Sequence, residues 1–532
     1  MEKINSFLNN RNIRNFLFFS FSVHLIFLSN DFGISYDEFW YRDVGFSVLT
    51  FLGKIFFPEK LLEITLLKNL EYPSLEQILN VAPIGIKIQH TIYSALEYFF
   101  FNNAEKYEVF KMRHTLNIAM SCFAFLIFYR ILRLQFSKIF STLGLIMLIL
   151  SPKIFSDYYY NPNDIWALFA AGMITYFSLY FFKKNKYKYF YFLSFLFAFG
   201  LNTRLILIYL YFIFLFFYFI KNKIFFEKKL LTKIFLQFFL FIVFLYILSP
   251  NLWIDLSGFF SILIKQLTFS QDSMVYFNDT FLRSSQLPKY YTILWILLST
   301  PTFYLLTFFI GLAKYFLNIK DNKLKNQNIY SSFFFLYLFI PILAMIIFKP
   351  NLFNGWRHFY FLNLALVYFS IFGIKFIFDK SKSKIIYCIF SFFIFLNFLN
   401  IGYWMIYNHP YQHIFFNSLA KKHYNKFDLD YWGLSNLEAL KYIGNVSLKS
   451  DKTVKVKALG ESRIIYAYKV LDKSLKEKIF ILSRDDLYNA DYYITNFHNG
   501  KDKEYYLSKG FKIINEIKVD NIVINVVMTK NN

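Results

Sequence analysis

Ser35-Tyr36-Asp37-Glu38-Phe39-Trp40-Tyr41-Arg42-Asp43 stands where an apolar run, about residues 16–29, gives out. Two adjacent carboxylates flanked by aromatics, at the point where a helix leaves hydrocarbon, form an unusual local composition. Charge at that depth is costly and tends to mark function. The plain alternative is that Asp37 and Glu38 only cap the first helix of a loop. That loop is long, about residues 30–113, and the rest of the chain is read outward from it.

The 532 residues are 57% hydrophobic and 23% aromatic, and the apolar residues form long runs, which excludes an ordinary soluble domain. Phe, Ile, Tyr, Lys and Asn are over-used while Ala and Gly are scarce, as in proteins translated from AT-rich genes. Aromatic stripes therefore carry little weight. The net charge of +24 invites a nucleic-acid partner, but its placement argues for none. The lysines gather in short loops between apolar spans, as cytoplasmic loops facing anionic lipids do. The two cysteines, Cys122 and Cys388, both fall inside spans, so neither a disulfide framework nor a cysteine metal site is expected.

A hydrocarbon layer of about 30 Å needs apolar helices of roughly 15–23 residues when aromatics extend the shorter ones, and about eleven fit. Lys3, Arg11 and Arg14 place the N-terminus in the cytoplasm, and no small-residue cleavage site follows, so the first span reads as retained. Later spans are expected near residues 114–131, 139–150, 165–182 and 231–248, with the eleventh near 385–407. Each short lysine cluster then lands on one side: 183–188, 221–229, 314–325 and 380–384. Segments near 46–57, 61–70 and 83–101 of the first outer loop are amphipathic at helical spacing, as interfacial helices are. A second outer loop covers about 151–164. Residues 1–407 thus form the membrane domain. Beyond 408 strand-like stretches near 454–459, 479–482, 492–495, 513–517 and 522–528 alternate with helical ones such as 435–443. Residues 408–532 read as a small extracytoplasmic α/β domain.

With orientation fixed, Asp37, Glu38, Arg113, His114, Lys153, Asp164, Arg204, Arg357 and His358 all fall at outer span ends or in outer loops. Basic residues there ask for an anionic partner, and a lipid-linked phosphate would supply one. Local pairing, for example Lys153 with Asp157, or snorkelling is the competing account for any single residue. Asn161-Pro162-Asn163-Asp164 reads as a helix start, a role that could be sufficient for Asp164. His409 and His413 have the spacing of a helical metal pair, but no third ligand is near and they are taken as structural.

Several segments together resemble the bacterial membrane glycosyltransferases related to dolichyl-phosphate-mannose–protein mannosyltransferases, which share the GT-C fold. They are Tyr36-Asp37-Glu38; Arg113-His114 with Asn117; Ser151-Pro152-Lys153-Ile154-Phe155 with Asn161-Pro162-Asn163-Asp164; Gly200-Leu201-Asn202-Thr203-Arg204; Asn251-Leu252-Trp253; Gly355-Trp356-Arg357-His358; and Pro410-Tyr411-Gln412 through Asn417 with Asp430-Tyr431-Trp432-Gly433. The resemblance implies a polytopic α-helical enzyme that moves a sugar from a polyprenyl-phosphate carrier to an acceptor glycan, lipid or protein. In such families the acidic residue of the first loop activates the acceptor, which points to Asp37, with Glu38 beside it. Basic and polar residues of later loops hold the carrier phosphate and substrate, which points to Arg113, His114, Lys153, Asn161, Asp164, Asn202, Arg204, Arg357 and His358. Related sequences often show Arg where Lys153 stands and Lys where Asn163 stands. The mannosyltransferases' extra lumenal domain has no counterpart here.

A single carboxylate with a phosphate leaving group suits one displacement with inversion, because phosphate leaves without protonation. No cofactor is implied, and ligand spacing gives no support for a divalent ion near Asp37 and Asp164. The competing class is a multi-span transporter or flippase of a lipid-linked or small anionic substrate. That class calls for charged or broken spans near mid-bilayer, whereas Asp and Glu are nearly missing from the span interiors. A non-catalytic scaffold would leave the outer charges unexplained. The resemblance places the protein in the bacterial cytoplasmic membrane.

Overall fold

A computed structural model describes residues 11–57, 88–101, 106–222, 228–254, 272–320, 329–381, 383–460, 462–483, 490–498 and 500–530. The amphipathic segment expected at 61–70, the start of the one at 83–101, and Lys3, Lys223, Lys323, Lys325 and Lys382 lie outside these residues. The chain is a polytopic α-helical membrane protein. Among the described residues eight helices are long and apolar enough to cross a bilayer. Lys138–Ile149 and residues 152–160, joined at a 67° bend, are together long and apolar enough for a broken span or a re-entrant loop. A shorter apolar helical stretch, Phe18–Asn30, occupies the position of the first expected span, and helix Tyr187–Thr203 follows Pro162–Lys184.

Burial separates the helices into centre and rim. Pro162–Lys184 and Arg357–Lys380 are enclosed along most of their length, while Lys384–Tyr407 is almost wholly exposed, with Ile385, Phe392 and Ile406 open. An apolar helix left uncovered by protein is a lipid-facing one. The second long helix begins at Lys106, eight residues before the expected span. Glu108, Lys111 and Arg113 argue against hydrocarbon there. The helix nonetheless includes them, and Arg113 is paired with Glu97 at 2.6 Å.

Helices Thr302–Lys320 and Asn363–Lys380 cross through two glycines. A methyl group on Gly311 would lie 1.9 Å from the Phe369 carbonyl oxygen, and one on Gly373 would lie 2.1 Å from that of Thr307. Small residues let helix backbones approach closely where lipid tails give no hydrophobic drive for association. Gly311→Ala is therefore expected to destabilise the folded protein by about 1–3 kcal/mol, the usual cost of overpacking. Thermal melting in detergent checks this, and an unchanged midpoint would disprove the crossing.

The Asp37 helix, Tyr36–Phe56, starts with the pattern Ser-x-x-Glu: Glu38 Oε1 accepts the Ser35 backbone N–H at 2.7 Å. It packs beside Ile88–Phe100, and Gly45 permits the approach, since a methyl there would lie 2.2 Å from the His90 carbonyl oxygen.

The segment before helix Tyr291–Ser299 contains an unexpected hairpin, β1 (Met274–Phe277) with β2 (Thr280–Arg283). Its two turn residues, Asn278 and Asp279, have φ of 52° and 63°, the pairing a two-residue hairpin turn requires. The C-terminal part holds one five-stranded sheet, ordered β4-β3-β5-β7-β6, from β3 (Val454–Ala458), β4 (Ile479–Ile481), β5 (Tyr492–Thr495), β6 (Phe511–Val519) and β7 (Ile522–Lys530). β3 runs parallel to β4 and β5, while β7 is antiparallel to β5 and β6. Helix Asn436–Ser450 covers the sheet through Leu437, Leu440 and Ile443. The hairpin ties onto this part where Tyr276 and Asp428 exchange hydrogen bonds at 3.2 Å.

Candidate active site

Asp37 lies in the first turn of its helix with its side chain 36% exposed. Its Oδ2 accepts two hydrogen bonds, from the Tyr41 hydroxyl one turn on at 3.2 Å and from Arg357 Nη1 at 3.3 Å. Arg357 is only 4% exposed. Its guanidinium is boxed by aromatic rings, 4.6 Å from the Trp432 centroid, 4.7 Å from Phe353 and 5.9 Å from Tyr431. A desolvated cation against ring faces is held electrostatically as well as by packing. His358 is half-buried beside it, edge-on to Phe353 at 5.0 Å.

A second carboxylate–guanidinium pair stands close by. Asn161 caps helix Pro162–Lys184, accepting the Asp164 N–H at 3.3 Å, and its amide donates to Asp164 Oδ2 at 2.7 Å and Asp157 Oδ1 at 2.8 Å. The other Asp164 oxygen accepts from Arg204 Nη2. The two pairs meet at Tyr41: burial raises its phenol well above the ordinary value, and Asp37, Arg357, Asp164 and Arg204 all act on it. Arg357 likewise feels the Asp164 charge. Asp37, Tyr41, Asp164, Arg204 and Arg357 thus form one electrostatic group drawn from four distant segments. In both guanidinium groups Nε is buried and has no acceptor.

Other residues singled out in the sequence sit differently. Glu38 is buried, its Oε2 bonded to His114 Nε2 at 2.7 Å, and His114 is 1% exposed. Arg113 donates to Glu97 and, at 2.9 Å, to Ser94, and Glu97 also holds Arg42 at 2.6 Å. Lys153 reaches the His413 carbonyl at 2.7 Å, with its ammonium 5.0 Å from the Trp295 centroid. Asn202 donates to the Leu248 carbonyl at 2.7 Å and to Ser249 at 2.9 Å. Asn163 accepts from Gln89 at 3.1 Å and meets His90 at 2.9 Å. Tyr41 carried a readable signal, its i,i+4 spacing from Asp37; Glu97 had only its place in an amphipathic stretch. Among the described residues no three His, Cys, Asp or Glu side chains are grouped to hold a metal ion.

The C-terminal part braces this group. The Tyr36 hydroxyl accepts from the Arg463 backbone N–H and from Asn496 Nδ2, both at 3.3 Å, and burial pushes its phenol up to about 12. Gly433, with φ of +70°, lies under the Tyr36 ring, where a methyl group would come within 2.3 Å. Asp430 accepts from the Leu434 and Ser435 N–H groups and pairs with His413 Nε2 at 3.2 Å. His409 pairs with Asp31 at 2.9 Å, so both histidines serve the junction.

Burial holds His413 below its ordinary range, and its buried Nδ1 has no partner, so protonation there would leave an unpaired N–H. Burial pushes Asp430 up, but hydrogen bonds from His413 and Ser435 outweigh it and leave the carboxyl below the usual value. A depressed His is stabilising while neutral, so its contribution is lost as pH falls below about 6.5. A depressed Asp loses its contribution further down, from about 3.9. The melting temperature is expected to drop as pH falls below about 6.5, and His413→Gln, which can donate the same bond without titrating, should flatten that limb. An unaltered pH profile in the variant would dismiss the junction as its source.

Residues 110–254 match the family model described as dolichyl-phosphate-mannose-protein mannosyltransferase. The matched stretch includes Arg113, Lys153, Asp164 and Arg204, while Asp37 and Arg357 lie outside it. The class this chain resembles is the polytopic membrane glycosyltransferase of the GT-C type, dependent on polyprenyl-phosphate sugars. Among solved structures it is similar to ArnT from Cupriavidus metallidurans, crystallised with undecaprenyl phosphate: TM-score 0.45 and 10% identity over 97% of this chain and 98% of that one. No curated protein matches.

Proposed function

We propose that the protein transfers a hexose or pentose from a polyprenyl-phosphate carrier to an acceptor hydroxyl at the outer face of the bacterial cytoplasmic membrane. The N-terminus is then cytoplasmic and the C-terminal domain extracytoplasmic, as the lysine distribution favours. The observation that carries the reading is a half-open carboxylate, Asp37, bonded to Arg357 and sharing with Arg204 an influence on Tyr41, where both guanidinium groups have a buried Nε–H without an acceptor. A buried donor left unpaired costs about 1–3 kcal/mol, which an anionic ligand would offset.

In the reaction the acceptor hydroxyl lies against Asp37, which takes its proton as the oxygen forms a bond to the anomeric carbon. The bond from that carbon to the phosphate oxygen breaks on the opposite face, so configuration inverts. Polyprenyl phosphate leaves with its charge met by Arg204 and Arg357, which stand in a poorly hydrated site where fixed charges act strongly. Tyr41 holds the Asp37 carboxylate in place, and Asn161 with Asp164 fixes Arg204. Arg113, His114 and Asn202 support the walls, since their donors already have partners within the protein.

The test uses proteoliposomes supplied with polyprenyl-phosphate hexoses and pentoses labelled in the sugar, together with total membrane acceptors. Label should move to an acceptor with equimolar release of polyprenyl phosphate. Carriers that all remain intact would reject the activity, and relocation of an intact labelled carrier across the bilayer would establish the transporter instead.

A further inference from the structure

Helix Ile464–Lys469 of the C-terminal part lies against Tyr36 and Phe39 of the Asp37 helix, and it brings cations there. The Arg463 guanidinium sits 5.2 Å from the centroid of the Tyr36 ring, and Lys469 sits 5.4 Å from that of Phe39. Tyr466, between them in sequence, contacts both rings at centroid distances of 6.2 and 5.5 Å. Arg463 and Lys469 are both exposed. Arg463 belongs to the same neighbourhood as the candidate site, because the Tyr431 hydroxyl is acted on by Arg357, Asp37 and Arg463 together.

Further cations gather at the Lys469 end. Lys106 is close enough to Arg42, Lys469 and Lys476 for each to oppose its charge. Among the described residues Asp43 stands among these cations, Lys469 included, and Glu97 is held between Arg42 and Arg113. Mutual repulsion of this kind is relieved by an anion, and a cationic rim beside aromatic faces suits an anionic saccharide. The Asp37 carboxylate is the group that would meet a neutral hydroxyl, so the anion belongs at some distance from it on the same molecule.

We propose that Arg463 and Lys469, flanking Tyr466, form an anion-binding subsite on the acceptor side, and that the acceptor is a glycan or glycolipid carrying a phosphate group. This rests on the reading of Asp37 as the acceptor-side base. The carrier phosphate and the acceptor phosphate then occupy separate cations, Arg204 and Arg357 for the first, Arg463 and Lys469 for the second. Such a division would prevent either substrate from occupying the other's place by charge alone.

The experiment uses the full chain in phosphatidylcholine nanodiscs, titrated with glucose 1-phosphate and with glucose. Wild type should bind the phosphate ester and not the neutral sugar. Lys469→Gln, an exposed change that leaves packing intact, should weaken binding about tenfold, and the Arg463→Gln/Lys469→Gln pair more, since a hydrogen bond to a charged group is worth about 1.5–3 kcal/mol. Asp37→Asn should bind like wild type while failing to transfer sugar, which separates this subsite from the catalytic reading. Phosphatidic acid added to the discs assigns the phosphate to a lipid-borne acceptor if it competes, and to a glycan if it does not; both outcomes support the subsite. Equal binding of glucose and glucose 1-phosphate, or unchanged affinity in both variants, overturns it.

Discussion

Asp37→Asn should leave a folded, donor-binding protein whose sugar transfer falls by about 10²–10⁴-fold. Positioned general bases typically contribute that much. The substitution is nearly isosteric, and the amide oxygen can still accept from the Tyr41 hydroxyl and Arg357, so the local geometry survives. With 36% of the side chain exposed, the removed charge is not one the fold depends on. What disappears is the capacity to take a proton. Single-turnover assays in proteoliposomes, run beside carrier-binding measurements, separate the two effects. Near-normal turnover would strip Asp37 of the role and leave it a cap residue.

Arg357→Ala should act on the donor half of the reaction. The guanidinium is enclosed by Trp432, Phe353 and Tyr431 and contacts Asp37 through one nitrogen, leaving Nε unengaged. Losing such a preorganised donor costs about 2.7–4 kcal/mol of barrier in analogous sites. Carrier affinity and the rate of the chemical step should both fall. Lysine is a poor substitute, since a point charge can neither stack on the rings nor present a planar fork, and Arg357→Lys is expected to recover little. Unchanged carrier affinity in Arg357→Ala would remove this residue from the phosphate site.

The sequence carried the membrane architecture because hydropathy and lysine placement are local properties. Spans such as Pro162–Lys184 and Lys384–Tyr407 fall within a few residues of their expected limits. The start of Lys106–Leu132 was harder to read, because the neutralising Glu97 lies outside the window that a hydropathy scan examines. A local signal also announces the Ser35–Glu38 cap, and Asn278-Asp279 has the composition of a two-residue hairpin turn. The site is different in kind. Arg357 meets Asp37 across 320 residues, and Arg463 meets Tyr36 across 427. Sorting polar residues by membrane face gathers Asp37, Arg113, Arg204 and Arg357 alike. It cannot distinguish the guanidinium held by Glu97 from those with donors unengaged, because that depends on which carboxylate the fold delivers to each.

Tyr36 immediately precedes Asp37, and its hydroxyl is held by Arg463 and Asn496 while its ring rests on Gly433. The beginning and the end of the polypeptide are consequently hinged on one ring. A displacement of the segments that carry Arg463 and Asn496 would therefore shift the ring next to the residue that would hold the acceptor's proton.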